Sequence, residues 1–236
     1  MESLETINGQ SVRALVLFGS PGSGKGTQAK LLMNCLRVPH VSTGDMLRER
    51  IRAGVAAGEV VATMHAGALV PDHVVNRLVE QRLAQPDSRQ GFILDGYPRT
   101  RDQAEHLIGW MDGKGIREVV IHLVVDYNII VARLTGRRQC PRCGTLYNIV
   151  SKPPRVAGVC DLDGAGLVIR EDDQESVIRE RLDAYERQTR PLLDFFRQRG
   201  RTLLEMDASH ASPEDLAGCI CRALDAPDGG GRAVEG

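Results

Sequence analysis

Lysine, aromatic side chains and long apolar runs are what this 236-residue chain has least of. Of its 30 basic residues only Lys25, Lys30, Lys114 and Lys152 are lysines, leaving 26 arginines, so an arginine signals function only where its position is special. Aromatics amount to 4%, and there is no ribbon of basic and aromatic residues of the kind that binds single strands. The formal net charge of -1 supplies no general attraction for a polyanion, so nucleic acid is not an expected partner. No stretch reaches the roughly 18 apolar residues that a membrane helix needs, and no membrane partner is expected. Met1 to Ser11 is polar and carries Glu2 and Glu5, unlike the charged-then-apolar layout of a secretory signal, so the expectation is cytoplasmic. In that compartment the six cysteines read as metal ligands or reduced core thiols and not as a disulfide framework. Cys35, Cys219 and Cys221 fall on helix-like patterns and are expected to pack in the core. No internal repeat is found.

What is present is an ordinary globular balance, 42% hydrophobic and 26% charged, at a length suited to one large domain carrying inserted lobes. The chain is organised around Ala14-Leu-Val-Leu-Phe-Gly-Ser-Pro-Gly-Ser-Gly-Lys-Gly-Thr27. Ala14 to Phe18 is a short apolar run without helical period, suited to a strand buried on both faces of a parallel sheet. Gly19, Gly22 and Gly24 then let backbone N–H groups turn around an anion at the positive end of a helix starting near Lys25. Lys25 supplies a point charge to outer phosphates. The run fits G-x-x-x-x-G-K, but Gly26 follows and the hydroxyl arrives one residue late, at Thr27, which loosens the expected magnesium contact.

Further on, Val38–Ser42 reads as a strand, Ser42 or Thr43 as a cap, residues 55 to 66 as one short helix and Asp72 to Leu83 as another. Gly91–Asp95 is a buried strand ending in an acid at its carboxyl end, where ligands bind in open α/β sheets. A helix from Asp102 to Trp110, a strand from Glu118 to Val125 and a helix from Asn128 to Thr135 continue the alternation, which predicts parallel βαβ units. Gly136 to Asp173, rich in Gly, Pro and Cys, breaks it and reads as an inserted lobe with its own fixing device. One long helix is expected over Ser176–Arg199, bent at Pro191, then a strand at Leu203–Met206 and a helix opened by Ser212 and Pro213. The fold class is therefore α/β, a parallel sheet flanked by helices. Its expected layout is an extension at 1–11, a core at 12–225 with inserts at 42–71 and 136–173, and a loose tail at 226–236.

Asp95 is the candidate to orient magnesium, directly or through water, with a turn or cap acid as the alternative. Arg133 and Arg137, four apart at a helix end, are expected to aim at one point; solvated-face arginines are the alternative. Cys140-Pro-Arg-Cys143 and, after sixteen intervening residues, Cys160-Asp-Leu-Asp163 have zinc-ribbon spacing, with Asp163 where a fourth cysteine would sit. A metal-free lobe or a Cys140–Cys143 disulfide stays open. Tyr147, His122 and Trp110 read as packing or surface residues.

Gly19-Ser-Pro-Gly-Ser-Gly-Lys-Gly-Thr27, Ser42-Thr-Gly-Asp-Met-Leu-Arg48, Asp95-Gly-Tyr-Pro-Arg-Thr100, Gly136-Arg-Arg138 and Arg170-Glu-Asp-Asp173 occur in the order seen in adenylate kinases. Over roughly residues 12 to 222 the chain resembles the long-lid bacterial type of that family. The resemblance implies a P-loop kinase fold and reversible Mg2+-dependent transfer of a phosphoryl group from ATP to AMP, giving two ADP, in adenylate energy balance and purine salvage. It implies an NMP-binding lobe at 42–71, a lid at 136–173 and a monomer. It puts the ATP phosphates on the backbone of Gly22, Ser23, Gly24, Gly26 and Thr27 and on Lys25, with Arg133 stacking near the base and Arg137 on phosphate. Thr43, Arg48, Gly96, Arg99 and Gln103 would hold AMP, and Arg170 and Arg181 would close over the transferring group. Similar lids carry three cysteines and one aspartate, which supports structural Zn2+ on Cys140, Cys143, Cys160 and Asp163. The Thr43 and Gln103 pair resembles an adenine reader, and Tyr97 replaces the commoner Phe. A related kinase using GTP or another acceptor, or a binding module built on the same motifs, remains the competing reading.

Overall fold

The computed structural model describes residues 6–7 and 10–225; the expected tail at 226–236, and most of the expected extension at 1–11, lie outside them. The central strand β2 (Gln10–Phe18) is entered from β1 (Thr6–Ile7), which pairs with it antiparallel. Around β2 a parallel sheet is built from β3 (His40–Ser42), β4 (Phe92–Asp95), β5 (Arg117–Val124) and β8 (Thr202–Asp207), in the order β3-β4-β2-β5-β8. All these neighbours run parallel, as the alternation of strand and helix predicts. A separate antiparallel hairpin, β6 (Arg137–Gln139) with β7 (Leu146–Asn148), lies within the segment that breaks the alternation.

Successive side chains of β2 face opposite ways, and both faces are dry. Ala14, Val16 and Phe18 join a cluster with Leu107, Met111 and Phe196, contributed by α5 (Arg101–Asp112) and α8 (Leu192–Gln198). Leu15 and Leu17 join Leu32 and Ile220, from α1 (Lys25–Leu36) and α9 (Pro213–Asp225). Burying such side chains contributes about 1.5–3 kcal/mol each. That continuous double burial explains why β2 reads as an unbroken apolar run. It also holds the carboxyl ends of β2 and β4 rigidly side by side.

Over the carboxyl ends stand α2 (Thr43–Arg52), α3 (Gly58–His65) and α4 (Asp72–Leu83), and α6 (Tyr127–Gly136) leads into the hairpin. Three details depart from the sequence expectations. The helix over Ser176–Arg199 is two helices, α7 (Glu175–Ala184) and α8, joined by a π turn at Tyr185–Thr189. Arg190 N–H reaches back five residues to Tyr185 O at 2.9 Å, widening the helix just before Pro191, whose ring and missing N–H disrupt regular bonding. Second, Cys35 and Cys219 are exposed, because the sheet-facing stripes use Gln28, Ala29 and Leu32 on α1 and Leu216, Ile220 and Leu224 on α9, whereas Cys221, partly covered, packs against that cluster as expected. Third, α6 stops at Gly136 and Arg137 is already extended, with φ -69° and ψ 138°. Arg133 and Arg137 therefore do not share a helix face. Among the described residues no helix is long and apolar enough to cross a membrane.

Candidate active site

A cleft of about 1220 Å³ opens over the carboxyl ends of β2, β3 and β4, lined by residues from the glycine loop, α2, Gly96–Arg99, the hairpin and α7. On one side Gly19–Gly24 forms the loop between β2 and α1. Gly22 has φ +85°, and a Cβ there would lie 2.9 Å from Leu134 Cγ, so both conformation and space demand glycine. Lys25 Nζ donates to Gly19 O at 2.6 Å and Ser20 O at 2.9 Å, which holds its charge at the mouth of the loop. Burial pulls Lys25 down to about 8; Asp95 offsets part of that, while Arg99, Arg181 and Arg137 add to it. Asp95 accepts from or shares a proton with His40 Nε2 at 3.2 Å. Burial works against its charge, but the His40 hydrogen bond and Lys25 outweigh it and keep the carboxyl below its usual range. Gly26 leaves room beside it, since a Cβ would approach Asp95 Oδ2 to 3.4 Å. Thr27, exposed on α1, lines the same cleft.

The opposite wall is built on Gly96, whose φ of +77° and close neighbours, Arg99 and Thr43, exclude a side chain. Its carbonyl accepts from Thr43 Oγ1 at 2.8 Å and from Arg99 Nε at 2.9 Å. Gln103 is 2% exposed and its amide is already engaged at both ends: Nε2 donates to Asp72 Oδ1 at 2.6 Å and Oε1 accepts from Arg99 N at 2.8 Å. One N–H and one lone pair of the amide are not used by these two bonds. Tyr97, 1% exposed, places its hydroxyl 2.7 Å from Asn76 Oδ1, the polar partner that a buried Tyr needs in place of Phe.

Between the walls lie Arg48, Arg99, Arg137, Arg170 and Arg181. Neighbouring carboxylate, amide and carbonyl oxygens hold them in place. Arg137 grips the fully buried Asp173 through two nitrogens, Nε at 2.6 Å from Oδ2 and a terminal nitrogen on Oδ1. Arg181 bonds the same Oδ1 at 2.9 Å and Asp172 Oδ2 at 3.1 Å. Arg170 donates to Gln139 Oε1 at 2.7 Å, and Arg48 to Asp45 Oδ1 at 2.6 Å. Burial and the neighbouring guanidiniums pull both Arg99 and Arg170 down to about 10. The site carries more positive charge than its own carboxylates neutralise, so it favours a polyanionic ligand.

Beside the cleft, Cys140, Cys143, Cys160 and Asp163 bring their ligand atoms within 4.8 Å of one another. Two matching turns do this: Cys140 N donates to Thr145 O and Gly144 N to Cys140 O, while Cys160 N donates to Ala165 O and Gly164 N to Cys160 O. Ala165 N donates to Asp163 Oδ1 at 3.0 Å; that bond, against the cost of desolvation, holds the Asp163 carboxyl at about 2. Cys143 and Cys160 sulfurs are 3.6 Å apart, a spacing suited to two ligands of one tetrahedral ion. The four donors fit zinc in number, type and separation.

A sequence model of the family described as adenylate kinase matches residues 17–201. An adenylate kinase of Moorella thermoacetica is 49% identical over 212 residues, covering 89% of this chain and 97% of the relative. The chain belongs to the adenylate kinase family. An adenylate kinase of Anaeromyxobacter sp. is 45% identical over 213 residues, 89% of this chain and 98% of that protein. One of Methanocella arvoryzae is 46% identical over 204 residues, 86% and 94% of the two chains. As a member of this family the protein is a nucleoside monophosphate kinase, a phosphotransferase, with the P-loop kinase fold.

Against this family background, the residues singled out from sequence fall into two groups, the Cys140, Cys143, Cys160 and Asp163 cluster and the cleft. Gly22, Ser23, Gly24, Lys25, Gly26, Thr27, Thr43, Arg48, Asp95, Gly96, Arg99, Gln103, Arg133, Arg137, Arg170 and Arg181 all line one cleft. Arg133, however, donates to Ala208 O at 2.9 Å and Ser209 O at 3.2 Å, away from the Asp173 partner of Arg137. Sequence reasoning missed the acids, the amide and the imidazole that orient these groups: Asp45, Asp72, Asp172, Asp173, Gln139 and His40. The Ser42–Arg48 and Arg170-Glu-Asp-Asp173 runs carried a signal for Asp45, Asp172 and Asp173, acids set close to an arginine in sequence. Tyr147, read as packing, also touches the cysteine cluster, with its hydroxyl 3.5 Å from Cys160 Sγ.

Proposed function

We propose that the cleft transfers the terminal phosphoryl group of ATP to AMP, reversibly, giving two ADP. The observation that carries this reading is the stack of Lys25, Arg99, Arg137 and Arg181 between a glycine loop and the Thr43–Gly96–Gln103 wall, within one cavity. In this reading the ATP phosphates lie on the Gly22–Thr27 backbone and Lys25, and Arg48 and Arg99 clamp the AMP phosphate. The free amide valences of Gln103 read the adenine edge. Arg137, Arg170 and Arg181 steady the charge that spreads over the moving group. The AMP phosphate is itself an anionic nucleophile, so positioning and electrostatics suffice and no general base is needed.

Asp95 and Thr27 would hold Mg2+, a hard cation that takes oxygen ligands and water, and its charge would offset that of the phosphate oxygens. Asp95 fits the role because it is kept ionised beside Lys25. Cys140, Cys143, Cys160 and Asp163 would hold Zn2+ with every position filled by protein, which makes it a structural ion of the 136–173 lid. Contacts between the two inserted segments favour a closing role that shuts out water: Arg52 lies 3.4 Å from Pro141 O, and Arg48 and Arg170 lie 3.9 Å from Asp172 and Asp45. Exclusion of water keeps transfer from becoming hydrolysis. A monomer in the cytoplasm completes the reading.

The test is ADP formation from ATP, AMP and Mg2+ by the purified protein, beside a panel of other monophosphates, with zinc measured on the same sample. ADP from the adenine pair with near one zinc per chain is expected. No ADP from ATP and AMP overturns the proposal, and preference for another monophosphate reassigns the acceptor wall.

A further inference from the structure

Helices α1 and α9 pack side by side on one face of the sheet through Ala29, Leu32, Leu216 and Ile220. Two polar contacts fix their register. Near the start of both, Gln28 Nε2 donates to Pro213 O at 2.9 Å. About two turns later along each, Cys35 Sγ and Cys221 Sγ approach to 3.3 Å. The helices therefore run parallel, and the thiol pair lies where their common register brings them together, although 186 positions separate the two in sequence. Cys35 is exposed and Cys221 is half-buried behind it. Neither belongs to the cysteine cluster of the lid or to the cleft.

We propose that Cys35 and Cys221 form a thiol–disulfide modification site that locks α9 to the phosphate-loop helix under oxidising conditions. The co-reactant is a low-molecular-weight disulfide of the glutathione type. The exposed Cys35 thiolate attacks one sulfur of that disulfide, forming a protein mixed disulfide and expelling one small thiolate. The Cys221 thiolate then attacks the Cys35 sulfur, forms the Cys35–Cys221 bond and expels the second. Two protein thiols lose two electrons, one external disulfide becomes two thiols, and the two protons pass to the departing thiolates. A gap of 3.3 Å has to close to about 2.05 Å, a movement that rotation of an exposed side chain on a helix end supplies. A thiol reagent donating the reverse electrons reopens the bond, so a reducing cytoplasm keeps the pair open.

The lock closes a loop that spans most of the chain, and its effect is on stability and not on transfer, because Lys25 lies at the far end of α1. The experiment equilibrates the full-length, metal-loaded protein with oxidised glutathione and maps peptides without reduction. The expected result is a Cys35–Cys221 linked peptide, a rise in Tm of about 5–10 °C, and ADP formation within twofold of the reduced protein. Cys35→Ser and Cys221→Ala should each abolish the linked peptide and the Tm rise, whereas Cys219→Ser should keep both. Glutathione left on Cys35 as the end product, a link from Cys35 to Cys219, or an equal Tm rise in the Cys35→Ser variant would each overturn the assignment. Mapping separates these outcomes from oxidation of the lid, whose cysteines lie on other peptides.

Discussion

The glycine loop and the arginine cluster face each other across one cleft and are made in opposite ways. The loop is contiguous: six residues, Gly19–Gly24, between a buried strand and a helix, with the Lys25 charge tied to its carbonyls at Gly19 and Ser20. The cluster is gathered from α2, the turn after β4, the hairpin, the Arg170 segment and α7, and stays in place because Asp45, Asp172 and Asp173 hold its members. A local device loses function when one atom goes; a gathered one loses geometry first.

That contrast gives an order of expected effects. Lys25→Met removes the loop's only side-chain charge, and turnover should fall by about 10²–10³ or more, while the urea midpoint moves little. Unchanged turnover would break the comparison at its strongest point. Asp173→Asn should act the other way. It leaves Arg137 and Arg181 without their common buried partner, and unfolding free energy should drop by about 3–5 kcal/mol. Urea denaturation checks this, and a loss of turnover without a loss of stability would show that the aspartate does more than hold arginines. Between the two sits the proposed lid. Removing the proposed zinc with a chelator should lower Tm by several degrees and leave the choice of acceptor unaltered, and an equal Tm with and without chelator would count against a structural zinc.

Dependence on pH separates the two regions by range, alkaline for Lys25 and acid for the carboxylates, with stability rising with pH in both windows. Lys25 titrates near 8 in the unliganded protein, so kcat/KM for ATP should fall above that pH as the loop loses its charge. Stability should move oppositely. A lysine with a lowered folded value binds fewer protons folded than unfolded between about 8 and its usual value, so its penalty is relieved as pH rises through that window. Asp95 and Asp172 are held below the usual range, the first by His40 and Lys25 and the second by Arg181 and Arg48, in each case against the cost of burial. Their contribution is complete above the unfolded carboxylate range and is lost as pH falls through the lowered folded values. Denaturation at several pH values reads both limbs. The smallest effect belongs to Tyr97→Phe, which gives up the bond to Asn76 and keeps the ring; about 0.5–1.5 kcal/mol of stability and no change in turnover are expected.

Much of this was legible in the residues. The apolar run before Gly19, the glycines and Lys25 announce the loop, because strand, turn and helix start are decided within a few neighbours. The acid at the end of β4 announced Asp95, and the spacing of Cys140, Cys143, Cys160 and Asp163 announced their cluster, since paired short turns bring ligands together by local hydrogen bonding. Cys35 and Cys219 were misread as core thiols, because a helical pattern tells which residues share a stripe and not where the sheet ends beneath it.

By itself, then, the chain's order of residues determined the phosphate loop and the ligand knuckles, whose hydrogen bonds run between near neighbours, and the parallel sheet, which is announced by a repeating strand and helix pattern although its pairing is long-range. Only the tertiary structure decided which of the 26 arginines meet, that Asp173 joins Arg137 to Arg181, that Arg133 turns to Ala208, and that Cys35 stands against Cys221. Those pairings join residues far apart in the chain, and their energies depend on distance and burial that no local pattern specifies.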